Sequence, residues 1–160
     1  MDAGDFAHEH GTPLLRLALM LTGQVGEAED LVQETFARLL RDWSAIERAE
    51  SPRAYARRAL VNTHLTRRRR AAREVVVPLV PEGSAPEASS AAGSDTDEAW
   101  ALLATLPRRQ RCVLALRYYE GLDDAEIASL LNISAGAVRT HASRGLAALR
   151  ERVPAGRALS

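Results

Sequence analysis

The stretch that decides the reading of this chain is "LNISAGAVRTHASRG", Leu131–Gly145. Asn132 stands where a short helix must turn sharply, and Asn enters the left-handed backbone region more readily than most residues. Ser134 suits an N-cap for the helix that follows. Val138, Ala142, Gly145, Leu146 and Leu149 then form one apolar stripe at helical spacing. On a wheel of 100° per residue, Gly136, Thr140, Ser143, Arg144 and Ala147 lie opposite that stripe, with Arg139 and Ala137 on its flanks. Upstream, Ile127, Ala128 and Leu131 offer an inner face for a short first helix, and Ile133 plugs the core. This is the helix-turn-helix plan, whose second helix enters the major groove. Small side chains let that helix approach base edges, and Arg pairs with guanine O6 and N7. His141 projects nearer the buried side and is left out of the reading set.

Composition narrows the rest. The chain has 160 residues, is 46% hydrophobic and only 4% aromatic. Abundant Ala and Leu favour helices over a β-sandwich. No apolar run reaches membrane-spanning length, and "MDAGDFAHEH" lacks the basic-then-apolar order of a signal peptide. A soluble, cytoplasmic protein is expected. Cys112, the single cysteine, cannot form an intrachain disulfide.

The net charge is zero, yet charge is segregated. Residues 51–73 hold eight Arg and no acid, 74–98 hold six acids and no Arg, and 134–160 hold five Arg and one acid. Two basic segments on a neutral chain suggest two anion-binding surfaces; solvated helix faces are the plainer reading. Every basic residue is Arg. That suits phosphate and guanine, although coding bias in a GC-rich genome accounts for it more simply.

Helices are expected at 5–22, broken or kinked by Pro13 and stopped by Gly23, and from about Gly26 to Trp43. "SAIERAE" reads as a loop. Ser51 and Pro52 form a cap-plus-first-turn signature for a helix through "RAYARRALVNTHLTRRRR". Residues 74–98 read as a flexible acidic linker. Beyond it, "EAWALLATL", a helix opened by Pro107 and stopped by Gly121, and the helix-turn-helix complete the chain. The fold class is all-α: two small helical domains, 1–73 and 99–160, joined by residues 74–98.

A helix-turn-helix alone does not fix a function; the N-terminal half does. "GEAEDLVQETFARLLRDW" resembles the polymerase-binding helix of sigma-70 superfamily factors. "SPRAYARRALVNTHLTRRRR" is similar to their next, promoter-binding helix. "LATLPRRQRCVLALRYYEGLDDAEIASLLNISAGAVRTHASRGLAALR" resembles their C-terminal domain almost end to end. The two-domain form is that of the extracytoplasmic-function (ECF) sigma factors, nearest the actinobacterial SigE-like branch. The resemblance covers nearly everything except the linker and the tail.

That resemblance implies a role for each segment. Asp30, Gln33 and Glu34 would grip the β′ clamp helices of core RNA polymerase, and the β flap would be a further contact. By their residues alone they are equally a solvated helix face. The loop Ser44–Glu50 would hold a base flipped from the minus-10 element. Arg53, Arg57, Arg58 and Asn62 would line minus-10 DNA, Arg58 and Asn62 sharing a face four residues apart. Arg67–Arg70 fit phosphate contacts and a dipole-favoured helix end equally well. Arg139, Thr140, Ser143 and Arg144 match positions that read the minus-35 element, with Arg117 in support. Arg108, Arg109 and Arg111 either add phosphate contacts or form a solvated helix start. Asn132 departs from the family's usual Gly. In the family the linker threads the RNA-exit path, where its acidity here would mimic RNA. An anti-sigma factor is a further partner that the resemblance leaves open.

The linker's length fits this picture. Its 25 residues extend to at most about 80–90 Å, or about 25–30 Å as a random coil. Two turns of DNA separate sites by about 70 Å, within reach of two domains on that tether. A helix-turn-helix regulator acting without polymerase is the main rival, but it leaves "AEDLVQETF" and the second basic helix unexplained. For an enzyme, no nucleophile–base set or phosphate-cradling glycine loop is present. No cofactor is expected. His8 and His10 have no partners to complete a metal site and read as surface residues on a frayed terminus; Cys112 reads as core.

Overall fold

The computed structural model describes residues 2–74 and 94–152, the side chains of 74 and 94–97 excepted. Among the described residues there is no strand. The chain divides into two compact units.

In the first unit, α1 spans Ala3–Thr22, α2 Val25–Arg41, α3 Trp43–Arg48 and α4 Pro52–Glu74. The α1 N-terminus is not frayed: Asp2 caps it, accepting from the Asp5 amide at 2.8 Å. The helix continues across Pro13 and ends where Gly23 turns into the left-handed region at φ 78°. The run of buried residues after the proline, Leu14, Leu17, Ala18 and Leu21, provides the packing that holds the helix together there. His8 is exposed; His10 is half-buried and lies against Phe6, ring centroids 4.6 Å apart.

Phe6 is wholly buried and is the aromatic centre of this unit. Its ring meets Phe36 of α2 edge-on at 6.1 Å and Trp43 of α3 at 5.5 Å, the edge-to-face geometry that aromatic quadrupoles favour. On α4 the inward face is Ala56, Leu60, Val61, Thr63 and His64. The apolar pattern of this helix is weak because two of those buried residues are polar. The Thr63 hydroxyl donates to the Ala59 carbonyl at 2.7 Å, and the buried Thr35 of α2 does the same to Leu31. Each hydroxyl is therefore satisfied within its own helix.

The segment read as a loop at 44–50 is in large part helix α3. Ile46 anchors it, 1% exposed. A single buried side chain in six residues leaves no periodicity for a sequence reading to detect.

In the second unit, α5 spans Ser94–Ala104, α6 Arg108–Leu114, α7 Asp124–Leu131 and α8 Ala135–Arg152. A π-helical turn, Ala115–Tyr119, extends α6. α5 begins inside the stretch read as linker; residues 75–93 lie outside the described residues. The core holds Trp100, Leu106, Cys112, Val113, Leu116, Ile127 and Val138. Trp100 Nε1 is buried without a hydrogen-bond partner. Arg111 is only 4% exposed, so it is neither a phosphate contact nor part of a solvated helix start. Burial pushes its pKa down, partly opposed by Cys112. Among the described residues, no helix is long and apolar enough to cross a membrane, and no group of His, Cys, Asp or Glu could hold a metal ion.

Candidate nucleic-acid interface

The helix-turn-helix is fixed by caps at every joint. Gly121, at φ 70°, closes the π-helical turn. Asp123 then caps α7 in a reciprocal box: the Glu126 amide donates to Asp123 Oδ1 at 2.8 Å, and the Asp123 amide to Glu126 Oε1 at 3.4 Å. α7 ends at Asn132, φ 56° and ψ 48°, whose amide donates to the Ala128 carbonyl. The Ile133 amide donates to the same carbonyl at 3.1 Å. Ser134 starts α8, its Oγ accepting from the Ala137 amide at 3.0 Å. Asn132 is the sole non-glycine residue with positive φ among the described residues. A β-branched side chain is strongly disfavoured there, so Asn132→Val should lower the melting temperature of the second unit, at a cost of about 1–2 kcal/mol. Asn132→Gly should leave it nearly unchanged.

The inner faces differ in detail from the sequence reading. Ile127 is buried, but Leu130 rather than Leu131 completes the α7 face, and Ile133 is half-buried instead of plugging the core. Leu130 and Leu131, three and four residues after Ile127, both lie on its side of the wheel, and the fold buries the first more deeply. On α8, Val138, Ala142, Gly145 and Leu149 are buried as expected, with Leu146 half-buried. Gly145 sits at the tightest approach: a Cβ there would lie 2.8 Å from Leu114 Cδ1 and 3.4 Å from Gln110 Cβ.

This seating of α8 turns its other face outward. Arg139, Thr140, Ser143 and Arg144 are all exposed, and His141 is half-buried. Arg117, on the π-helical turn, pairs through Nη2 with Asp124 Oδ1. Its pKa is raised, first by that hydrogen bond. Arg117, Asp124, Arg139, Ser143, Leu146 and Arg150 line one groove of about 330 Å³. Arg117, Arg139 and Ser143 are thus brought together around that groove; Thr140 and Arg144 do not line it. Asp124 and Arg150, outside the set expected from the sequence, line it too, as does Leu146 of the apolar stripe. Arg150 follows Arg139 by eleven residues, three helical turns, and that spacing was the available signal.

In the first unit, Asp30 and Gln33 stand exposed on α2. Glu34 is half-buried and divided between two arginines: Oε1 lies 3.2 Å from Arg38 Nη2, and Oε2 lies 3.4 Å from Arg67 Nε on α4. Arg67 therefore has a structural partner that the sequence did not reveal. On α4, Arg53, Arg58 and Asn62 are exposed and Arg57 is half-buried. Tyr55, 38% exposed, adds an aromatic ring to that helix's outer surface.

Known proteins match both units. The family model of sigma-70 region 2 matches residues 6–74 and that of sigma-70 region 4 residues 96–149. The chain is 35% identical over 143 residues to the RNA polymerase sigma-E factor of Streptomyces coelicolor, covering 89% of this chain and 80% of that protein. It is 35% identical over 150 residues to the ECF RNA polymerase sigma factor SigL of Mycobacterium tuberculosis, covering 89% and 83% respectively. Among solved structures, the fold resembles that of a complex of the sigma factor RpoE with the anti-sigma factor NepR from Bartonella quintana. The TM-score is 0.65 at 23% identity, covering 96% of this chain and 99% of that one. Sigma factors are DNA-recognition subunits rather than catalysts. With a capped helix-turn-helix in one unit and matches that span both, the chain belongs to the sigma-70 family, among the ECF RNA polymerase sigma factors, and acts in promoter recognition and transcription initiation.

Proposed function

We propose that the second unit reads the minus-35 element through Arg139, Thr140, Ser143 and Arg144, supported by Arg117, while the first unit holds polymerase and the minus-10 element. The observation that carries the first part is the exposed outer face of α8: four polar side chains on the second helix of a helix-turn-helix. In the first unit, Asp30, Gln33 and Glu34 form the surface for the β′ clamp helices. Arg53, Arg57, Arg58 and Asn62 lie along minus-10 DNA and help melt it. The division into domains 1–73 and 99–160 with a tether between them follows the same plan, as does a cytoplasmic location. An anti-sigma factor fits as a regulator: the RpoE of similar fold was solved with the anti-sigma factor NepR.

Run-off transcription tests the scheme. Core polymerase with this chain should start transcripts at a cognate promoter, and substitution of Asp30 and Gln33 by Ala should remove them while the free chain stays folded. A chain that binds promoter DNA alone but yields no transcript with core enzyme contradicts the proposal. Arg144→Ala should cost about 1–3 kcal/mol at a guanine it pairs with, measured as affinity for matched against substituted upstream elements. An equal loss on all sequences would make Arg144 a phosphate contact instead.

A further inference from the structure

The consecutive arginines 67–70 near the end of α4 do not share one fate. Arg68, Arg69 and Arg70 are exposed, whereas Arg67 is half-buried. Arg67 comes three residues after His64, four after Thr63 and seven after Leu60, so it continues the inward face that those buried residues form. From Asn62 it lies about 140° round the helix, at 100° per residue. Arg67 therefore stands apart from the exposed Arg58 and Asn62 and is turned toward α2. There its Nε meets Glu34 Oε2 at 3.4 Å.

Glu34 is held from two sides. Arg38, one turn later on the same helix, takes Oε1 at 3.2 Å, and Arg67 takes Oε2 from the neighbouring helix. The Arg67 and Glu34 side chains are 34% and 32% exposed, and an ion pair that open to water adds little to stability. What the pair does fix is a direction. An untethered Glu side chain samples several rotamers, and a partner that needs one of them meets the ordering cost on binding. Two guanidiniums on two helices remove that freedom beforehand. An ionised carboxylate has about four lone-pair sites, so two contacts leave others for a donor from outside.

We infer that Arg67 is a positioning residue for polymerase binding: it holds the Glu34 carboxylate in the orientation that the β′ clamp helices meet, and it makes no phosphate contact. The inference rests on the reading of α2 as the clamp-binding helix. It moves one arginine of a basic run from the DNA-binding surface to the polymerase-binding surface. One arginine of α4 thereby serves the contact made by α2.

The test measures the affinity of the full chain for core polymerase without DNA, well below the melting temperature of the first unit, where every variant is folded. Arg67→Ala makes the α2 surface more acidic, and charge alone would then tighten binding to a partner that takes Asp30 and Glu34. Positioning requires the opposite: about two- to tenfold weaker binding, the cost of ordering one such side chain. Arg67→Lys should recover part of the loss, and Arg67→Ala with Glu34→Gln should bind no more weakly than Glu34→Gln alone. With core polymerase saturated by the chain, promoter affinity across a salt series should keep its slope in Arg67→Ala; loss of a phosphate contact would lower that slope by about 0.9. Tighter or unchanged core binding for Arg67→Ala, an equal loss in the Glu34→Gln background, or that drop in slope overturns the assignment. Asp30→Ala with Gln33→Ala in the same assay separates the two levels. If that variant loses core binding and Arg67→Ala does not, only the positioning role fails; if it binds core as the wild type does, the reading of α2 fails.

Discussion

Phe6→Ala should destabilise the first unit by about 3–5 kcal/mol, the range for deleting a fully buried aromatic side chain. The ring joins three helices at once, meeting His10 within α1, Phe36 on α2 and Trp43 on α3. Its removal leaves a cavity at which three rings lose a neighbour, and a close-packed interior relaxes around such a cavity only in part. A unit of this size has a total stability of about 4–11 kcal/mol by the usual per-residue range. The loss therefore takes a large share, and the melting temperature should fall by at least about 12 °C. Trp43 fluorescence follows the transition directly because its indole packs on the ring removed. Phe6→Leu keeps part of the volume and should cost distinctly less. A shift below about 3 °C for Phe6→Ala would mean that the aromatic cluster does not hold α1 in place.

Gly145→Val should have the largest effect in the second unit. The added Cβ would meet Leu114 Cδ1 at 2.8 Å, with Leu114 Cγ and Gln110 Cβ at 3.4 Å. Leu114 is itself buried and cannot swing into solvent. Alanine at this position meets the same contact but regains about 1 kcal/mol of helix propensity, so its net effect should be small. Valine adds two further carbons and has poorer propensity than alanine. Overpacking of that kind costs about 1–3 kcal/mol and pushes α8 away from α6. Because α8 carries Arg139, Thr140, Ser143 and Arg144, upstream-element binding should fall together with stability. Heat unfolding followed at Trp100, with duplex binding in parallel, checks both. Valine as stable as alanine would show that the α6–α8 crossing has slack.

These cases also show what the sequence made legible. The α8 stripe of Val138, Ala142, Gly145 and Leu149 was readable because a single period of 3.6 residues determines it, and the outward set followed by geometry. Asn132 and Ser134 were readable because turn and cap chemistry is local. The α3 helix was not, since Ile46 alone anchors it. Phe6 gave no sign of its central place, because its ring partners on α2 and α3 are 30 and 37 residues away in sequence. The pairing of Glu34 with Arg67 joins two helices across a similar separation. Arg117 and Asp124 are only seven residues apart, but a π-helical turn and the Gly121 bend lie between them, and no helical wheel brings them together. Arg111 sits in a run that looks like a basic surface, RRQR, and is nevertheless buried. Alternation of charge along a short helix says little about which arginine the core will enclose.

The two units are each made from one continuous stretch of chain, and this has a consequence for synthesis. Among the described residues, the buried side chains of α1–α4 all precede the end of α4 at Glu74. At about 5–20 residues per second, the ribosome needs about 4–17 s to add the rest. Helical bundles rich in local contacts fold in microseconds to milliseconds. The first unit can therefore complete its core while α8 is still untranslated. A nascent chain can thus present the exposed faces of α2 and α4 before that of α8.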